Sequence, residues 1–140
     1  MGKIKKGVDL MKVIANEEYP PQCDITLQIE VTDAHDGMAR GIWKVDERFM
    51  NGIGVAMGGF VSSAADIMMA YAISTKLSGE QGFTSIDLHT TFHRPVLMGE
   101  VTVVAKVERM GRKVAYVLAD LFQNEKKAAS VVSSVMIIEQ

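Results

Sequence analysis

Asp66 is the only charged residue among the 25 positions from Phe49 to Ile73, and its neighbours are Ala65, Ile67, Met68 and Met69. A carboxylate in such company is costly to bury unless it is hydrogen-bonded, paired or used chemically. Just upstream runs Asn51-Gly52-Ile53-Gly54-Val55-Ala56-Met57-Gly58-Gly59, which leads directly into an apolar, helix-favouring segment. Its last glycines would leave backbone N–H groups free at a helix N-terminus, where negative charge is attracted. An acid and a set of amide donors are groups that can move a proton and hold a developing negative charge. Two plainer readings stand beside this one. The glycines could serve a tight turn that lets helix and sheet approach closely, and Asp66 could share a solvated polar edge with Ser62, Ser63 and Thr75.

Other chemistries fit the residues less well. The spacing Gly52, Gly54, Gly58 is one residue too long for G-x-G-x-x-G, and the parallel strands of a dinucleotide fold are missing. Ser62 and Ser63 lack the G-x-S-x-G setting of a hydrolase nucleophile. His35, His89 and His93 show no metal spacing, so no metal and no cofactor are expected. A net charge of -2 and a pI near 5.9 give no basic face for nucleic acid. The single cysteine, Cys23, cannot form an intrachain disulfide, which points to an intracellular, cytoplasmic setting. The basic start from Met1 to Lys6 is followed by Asp9, Lys12 and Asn16, so no export signal is expected. The apolar run around Asp66 reads as a helix buried by the protein's own sheet rather than as a membrane span, because Asn51, four glycines and an acid would be costly in hydrocarbon.

The elements that must hold these groups follow from periodicity. Residues 1–140 read as one domain. Val8, Met11, Ile14 and Ala15 suggest a short leading helix that ends before Pro20-Pro21. Ile25, Leu27, Ile29 and Val31 alternate like a strand, Asp33 to Gly37 supplies a turn, and Met38 to Val45 returns as the second strand of a hairpin. Phe60 to Leu77 favours a long helix stopped by Ser78-Gly79. Four more strands are predicted: Ile86 to Phe92, Val101 to Glu108, Val114 to Leu121 and Ala128 to Ile138, with antiparallel neighbours. The list fits an α+β protein in which one antiparallel sheet wraps around one buried helix.

In this order and spacing the residues resemble the phenylacetate-degradation branch of the hot-dog-fold acyl-CoA thioesterases, related to 4-hydroxybenzoyl-CoA thioesterase. The resemblance runs from about Asp46 to the C-terminus. It rests on Asn51, Gly54 and Gly58-Gly59, then Ala64-Ala65-Asp66, then the strand from Asp87 to Val96, then Gly111-Arg112. It implies that Asp66 is the catalytic carboxylate, acting on a thioester carbonyl directly or through water, while the Gly58 N–H polarises the carbonyl oxygen. Asn51 would position water or substrate, and Ser85, with Thr84 beside it, would hold the water. Met57 and Gly59 would adjoin the substrate. The family usually has His where this chain has Met57, and a thioether cannot donate as an imidazole does. His89 and His93 are near in sequence, but alternation puts both on the face opposite Ile86 and Phe92.

Gly58 and Asp66 are eight residues apart, about 12 Å along one helix, so a single carbonyl cannot easily meet both. The expectation is that they come from different chains, with a homodimer as the minimal active unit and a homotetramer as the assembly. Coenzyme A belongs to the substrate and carries phosphates, for which Arg94, Arg109, Arg112 and Lys113 are the candidate cations. Phe60, Met68, Met69 and Tyr71 are candidate walls for the acyl group, within a chain holding ten methionines. A non-catalytic acyl-CoA binding or sensing protein on the same fold is the alternative that Met57 raises.

Overall fold

The computed structural model describes residues 7–139, so the basic start from Met1 to Lys6 lies outside it. The chain opens with α1, Leu10–Ile14, whose N-cap residue Asp9 accepts a hydrogen bond from the Met11 N–H at 3.0 Å. A second short helix follows, α2, Gln22–Leu27, where the sequence pattern suggested the start of a strand. Here Asp24 and Leu27 are buried while Ile25 is half exposed, a spacing of three rather than two. Pro21 leads into α2, and Gln28, in the left-handed region at φ 61°, ends it. The hairpin therefore starts later, with β1, Ile29–His35, and β2, Met38–Val45.

A 3-10 turn at Glu47–Phe49 and the glycine-bearing loop lead to α3, Gly58–Ser74. Five strands then follow instead of four: β3, Gln81–Ser85; β4, His89–Phe92; β5, Gly99–Met110; β6, Val114–Gln123; and β7, Lys126–Glu139. All pairings are antiparallel, in the order β1-β2-β5-β6-β7-β3, with β4 also paired to β7. The predicted strand from Ile86 to Phe92 is thus the second half of a broken edge. Ser85 lies opposite Val135 and His89 opposite Val132, so three residues face two and the strand bulges. Asp87 fills this bulge: its Oδ1 accepts from the Ser134 N–H at 2.8 Å, and its carbonyl accepts from the Ser133 hydroxyl at 2.8 Å.

The sheet curls around α3, which is the hot-dog arrangement. Alternate residues point inward, such as Ala115, Val117, Ala119 and Leu121 on β6 and Ala129, Val131, Ser133, Val135 and Ile137 on β7. They meet Val61, Ala64, Ala65, Met68, Ala72 and Ile73 of the helix. Each large apolar side chain so buried contributes roughly 1.5–3 kcal/mol. Met68 packs against Gly41 of β2, where a Cβ would overlap both the thioether end and the Glu30 carbonyl. No helix among the described residues is long and apolar enough to cross a membrane.

The N-terminal helices are tied to this core by an acid. Asp24 is only 2% exposed and accepts a hydrogen bond from the Tyr71 hydroxyl at 2.5 Å, with the Cys23 thiol 3.4 Å away. Burial raises the Asp24 carboxyl above its usual range, outweighing the opposing pull of Tyr71, whose own hydroxyl is pushed strongly up by burial and by Asp24. A carboxyl raised in the folded state holds its proton more tightly than the unfolded chain does. Its contribution is fully present below the unfolded value, about 3.9, and is lost as pH rises through the folded value. Denaturant stability should therefore decline with rising pH across that window, and Asp24→Asn should flatten the decline. The comparison is best made in an Asp66→Asn background, because that carboxyl is raised too. Identical pH profiles with and without Asp24→Asn would refute this account.

Candidate active site

The loop before α3 is held by its own polar groups. Asn51 Oδ1 accepts from the N–H groups of Ile53 at 3.0 Å and Val55 at 3.2 Å, while the Asn51 N–H donates to the Val55 carbonyl at 2.7 Å. Gly54 takes φ +82°, a conformation side-chain-bearing residues rarely adopt. The Asn51 oxygen is thus spent on the loop, and only its amide nitrogen is left to meet a ligand. The loop is pinned at its far end as well, where Ala56 donates to the Val96 carbonyl and Met57 to the Phe49 carbonyl, both at 2.8 Å.

Met57 is the N-cap of α3 and makes no side-chain capping bond. Its carbonyl accepts the first intrahelical bonds, from Phe60 at 2.9 Å and Val61 at 3.3 Å. The amides of Gly58 and Gly59 therefore lie ahead of the helical ladder, with the positive end of the helix behind them. A polar N-cap would have claimed one of these donors; the thioether leaves them open. The Phe92 ring sits on Gly58, so close that a Cβ there would lie 2.8 Å from the ring.

Asp66 is exposed in the single protomer, which corrects the expectation of a buried acid. The cause is helical geometry: Ala64, Ala65, Met68 and Met69 turn toward the core, while Asp66 shares a stripe with Ser62, one turn earlier. Ser62 Oγ is 2.7 Å from Thr90 Oγ1, so this stripe faces the edge strand β4. Solvent reaches the Asp66 carboxylate, yet enough protein surrounds it that desolvation raises its pKa, with no hydrogen bond among the described residues opposing the shift.

The bulge decides which edge-strand residues join this cleft. Ser85 pairs with buried Val135 and so faces the helix side, whereas Thr84 pairs with exposed Met136 and faces outward. Beyond the bulge Thr90 and Phe92, opposite Val131 and Ala129, face inward. His89 and His93 point outward: His93 Nε2 lies 3.0 Å from Ser130 Oγ, which donates to Asp120 Oδ1 at 3.1 Å, and His89 lies 3.8 Å from Asp87. Neither imidazole reaches the Gly58 end of the helix from that face. Among the described residues no group of three His, Cys, Asp or Glu is arranged to hold a metal ion.

The candidate cations separate. The Arg94 N–H bonds to the Ala128 carbonyl, while the Lys113 carbonyl accepts from the Ile137 N–H. These contacts are nine residue steps apart along the chain, about 30 Å at ~3.3 Å per residue in β7. Arg94 therefore stands at one end of the sheet and Arg112 and Lys113 at the other, the latter beside a hollow of about 400 Å³ that also includes Arg109 and Tyr116. The suggested acyl walls are also revised. Met68, Met69 and Tyr71 are at most 3% exposed and belong to the core, and Phe60 stacks edge-on to Phe49 at 5.1 Å between ring centroids. The exposed apolar groups of this region are instead on the edge, Phe92 at 55%, Ile86 at 54% and Leu88 at 39% exposure, and at the helix start, Met57 at 45%. A broken strand together with its bulge had no clear sequence signal, because Ile86 to Phe92 alternates as one strand would.

The model of the thioesterase superfamily matches residues 53–130, which include the helix, the edge strands and Asp66. The chain belongs to the thioesterase superfamily, and fold and family together define its class, the thioesterases of the hot-dog fold. It is 28% identical over 95 residues to acyl-coenzyme A thioesterase 13 of Homo sapiens, covering 67% of this chain and 67% of that one. The chain spans about two thirds of the length of the curated relatives it matches. Among solved structures, a phenylacetic acid degradation-related protein of Ralstonia eutropha JMP134 superposes with a TM-score of 0.86 at 23% identity, over 92% of this chain and 99% of that one. A thioesterase of Haemophilus influenzae gives 0.81 at 24% identity, over 96% and 94%. These likenesses show the fold.

Because the Phe92 ring is half exposed, it can swing aside for a methyl group. Gly58→Ala should then cost little stability, within about 1 kcal/mol, while displacing the ring across the first helical amides. Thermal melting near that of the parent, combined with loss of thioester cleavage of at least ~100-fold as for a removed oxyanion donor, is the expected result. Unchanged cleavage would separate Gly58 from the chemistry.

Proposed function

We propose that this protein hydrolyses acyl-CoA thioesters to a free acid and coenzyme A, using Asp66 of one protomer with the Gly58 N–H of its partner. The observation that carries the reading is the pairing of a helix start without a side-chain cap with a solvent-accessible carboxylate on the same helix whose pKa is raised by partial desolvation, the two too far apart to serve one carbonyl. The edge formed by β3 and β4, with exposed Ile86, Leu88 and Phe92, is an apolar strip of the kind that marks a protein contact. A second copy seated there would bring the helix start of one protomer toward the helix middle of the other and remove Asp66 from bulk water. The proposed unit is a homodimer at least, assembled as a cytoplasmic homotetramer.

In the reaction, Asp66 takes a proton from water as the water oxygen attacks the thioester carbonyl carbon. The carbonyl oxygen gains negative charge and is held by the Gly58 amide, with Gly59 beside it. Collapse of the intermediate breaks the C–S bond, and the proton passes to the leaving thiolate. Direct attack by the Asp66 carboxylate, followed by hydrolysis of the anhydride, uses the same groups. Ser85 faces the cleft and would hold the water, and the Asn51 amide nitrogen would orient water or substrate. Thioesters are already activated acyl donors, so these residues need no cofactor. Arg94 and the Arg112-Lys113 turn, at opposite ends of one protomer, would reach coenzyme A phosphates separately. A raised pKa suits Asp66 to act as base, since its proton affinity comes closer to that of the groups it serves.

Met57 supports a second reading, in which the chain binds acyl-CoA without cleaving it. A panel of acyl-CoAs with a thiol-reactive dye decides between them, because only cleavage releases free thiol. The hydrolase reading requires thiol release by the parent and a fall of at least ~100-fold in Asp66→Asn with unchanged melting. It also requires kcat/KM to rise with pH through a midpoint above the ordinary Asp value of about 3.9. Equal turnover by Asp66→Asn would remove the carboxylate from the mechanism. Binding with no thiol release would establish the second reading.

A further inference from the structure

The helix that carries Asp66 lies mainly over β1, β2, β5 and β6, whereas the strand that borders its open side is β4, which among the described residues pairs with β7 alone. Contacts between α3 and β4 include two near the site. One is the Phe92 ring on Gly58. The other is the Ser62–Thr90 hydroxyl pair at 2.7 Å, part-buried in the cleft. Ser62 stands four residues after Gly58 and four before Asp66, about 6 Å along the axis from each. A helical serine ordinarily returns its hydroxyl to the carbonyl four residues back, as the next residue does: Ser63 Oγ donates to the Gly59 carbonyl at 2.8 Å. Ser62 instead reaches across to another element. Its partner is β-branched, so Thr90 Oγ1 is held in a narrow range of directions, and the bulge around Asp87 is what turns that side chain inward.

We propose that Ser62 and Thr90 are positioning residues for the hydrolysis described above, fixing the spacing between α3 and the edge strand and hence the placement of Asp66 and the Gly58 amide against the partner's groups. This rests on the acyl-CoA hydrolase reading. A single neutral hydrogen bond adds little net stability, whereas catalytic geometry is sensitive to shifts well below 1 Å. The loss should therefore appear in turnover and in local helix opening rather than in melting.

The test uses the intact protein with Ser62→Ala, Thr90→Val, the two combined, and Thr90→Ser. Thiol release gives kcat and KM, and hydrogen exchange reports on the amides of residues 59–66 without needing turnover. Expected are a fall in kcat of roughly tenfold in each single variant, KM within about twofold, faster exchange in that segment, and no further loss in the combined variant, since both changes break one contact. Thr90→Ser keeps the hydroxyl and should stay within about twofold of the parent in both readouts. Unchanged exchange in Ser62→Ala and Thr90→Val overturns the tether whatever the activity. Faster exchange with unchanged kcat in an active enzyme assigns the pair a structural role only and overturns the positioning claim, as do losses that multiply in the combined variant. A parent that releases no thiol overturns the hydrolase reading and the positioning claim together, and exchange still reports whether the tether exists.

Discussion

The packing of α3 into the curled sheet is one-sided, and the rest of the site depends on that asymmetry. Its core stripe, from Val61 through Ala65 and Met68 to Ile73, is buried against the inner face of the strands. Gly41 lets the sheet come close enough for Met68 to touch backbone. A helix held so firmly on one side can present the other side as a rigid platform. That other side carries Ser62 and Asp66 and faces the one border of the sheet that the helix does not cover.

Rigidity is supplied again at the helix start. The Asn51 side chain satisfies the loop amides, the Phe49 and Val96 carbonyls fix the last residues before the helix, and Met57 caps with its backbone alone. The result is a pair of amide donors whose position is set before any ligand arrives, which is the condition under which such donors stabilise developing charge. Burial and hydrogen bonding differ between the two acids whose carboxyls are raised. Asp24 is enclosed and bonded to Tyr71, joining the N-terminal helices to the far side of α3. Asp66 has no hydrogen-bond partner among the described residues and is raised by desolvation. Of the two, only the second has the freedom a reacting carboxylate needs.

The edge strand decides which side chains share the helix side. A bulge of one residue, braced by Asp87, reverses which side chains look inward. Ser85 before it and Thr90 and Phe92 after it consequently share the helix side, and the imidazoles of His89 and His93 go to the other. The same stretch leaves Ile86, Leu88 and Phe92 uncovered, an exposed apolar strip beside the candidate site.

Much of this could be read from the chain itself. Met38–Val45 matches its predicted bounds, because a period of two over eight residues between turn signals has few other solutions. The long helix, its glycine-bearing entry and the lone acid within it are local features, set by propensity and by the missing Cβ atoms. The sheet around a central helix follows from the order of the elements. What the chain did not disclose depends on contacts distant in sequence. Ile25 and Leu27 mimic a strand until Asp24 meets Tyr71, and Ile86 to Phe92 alternates smoothly although pairing with β7 breaks it. Whether Asp66 is enclosed depends on which helical face the sheet takes, and a hydropathy window averages over all faces. Only tertiary packing chose that face, since burial is a property of the space between elements and not of any segment alone.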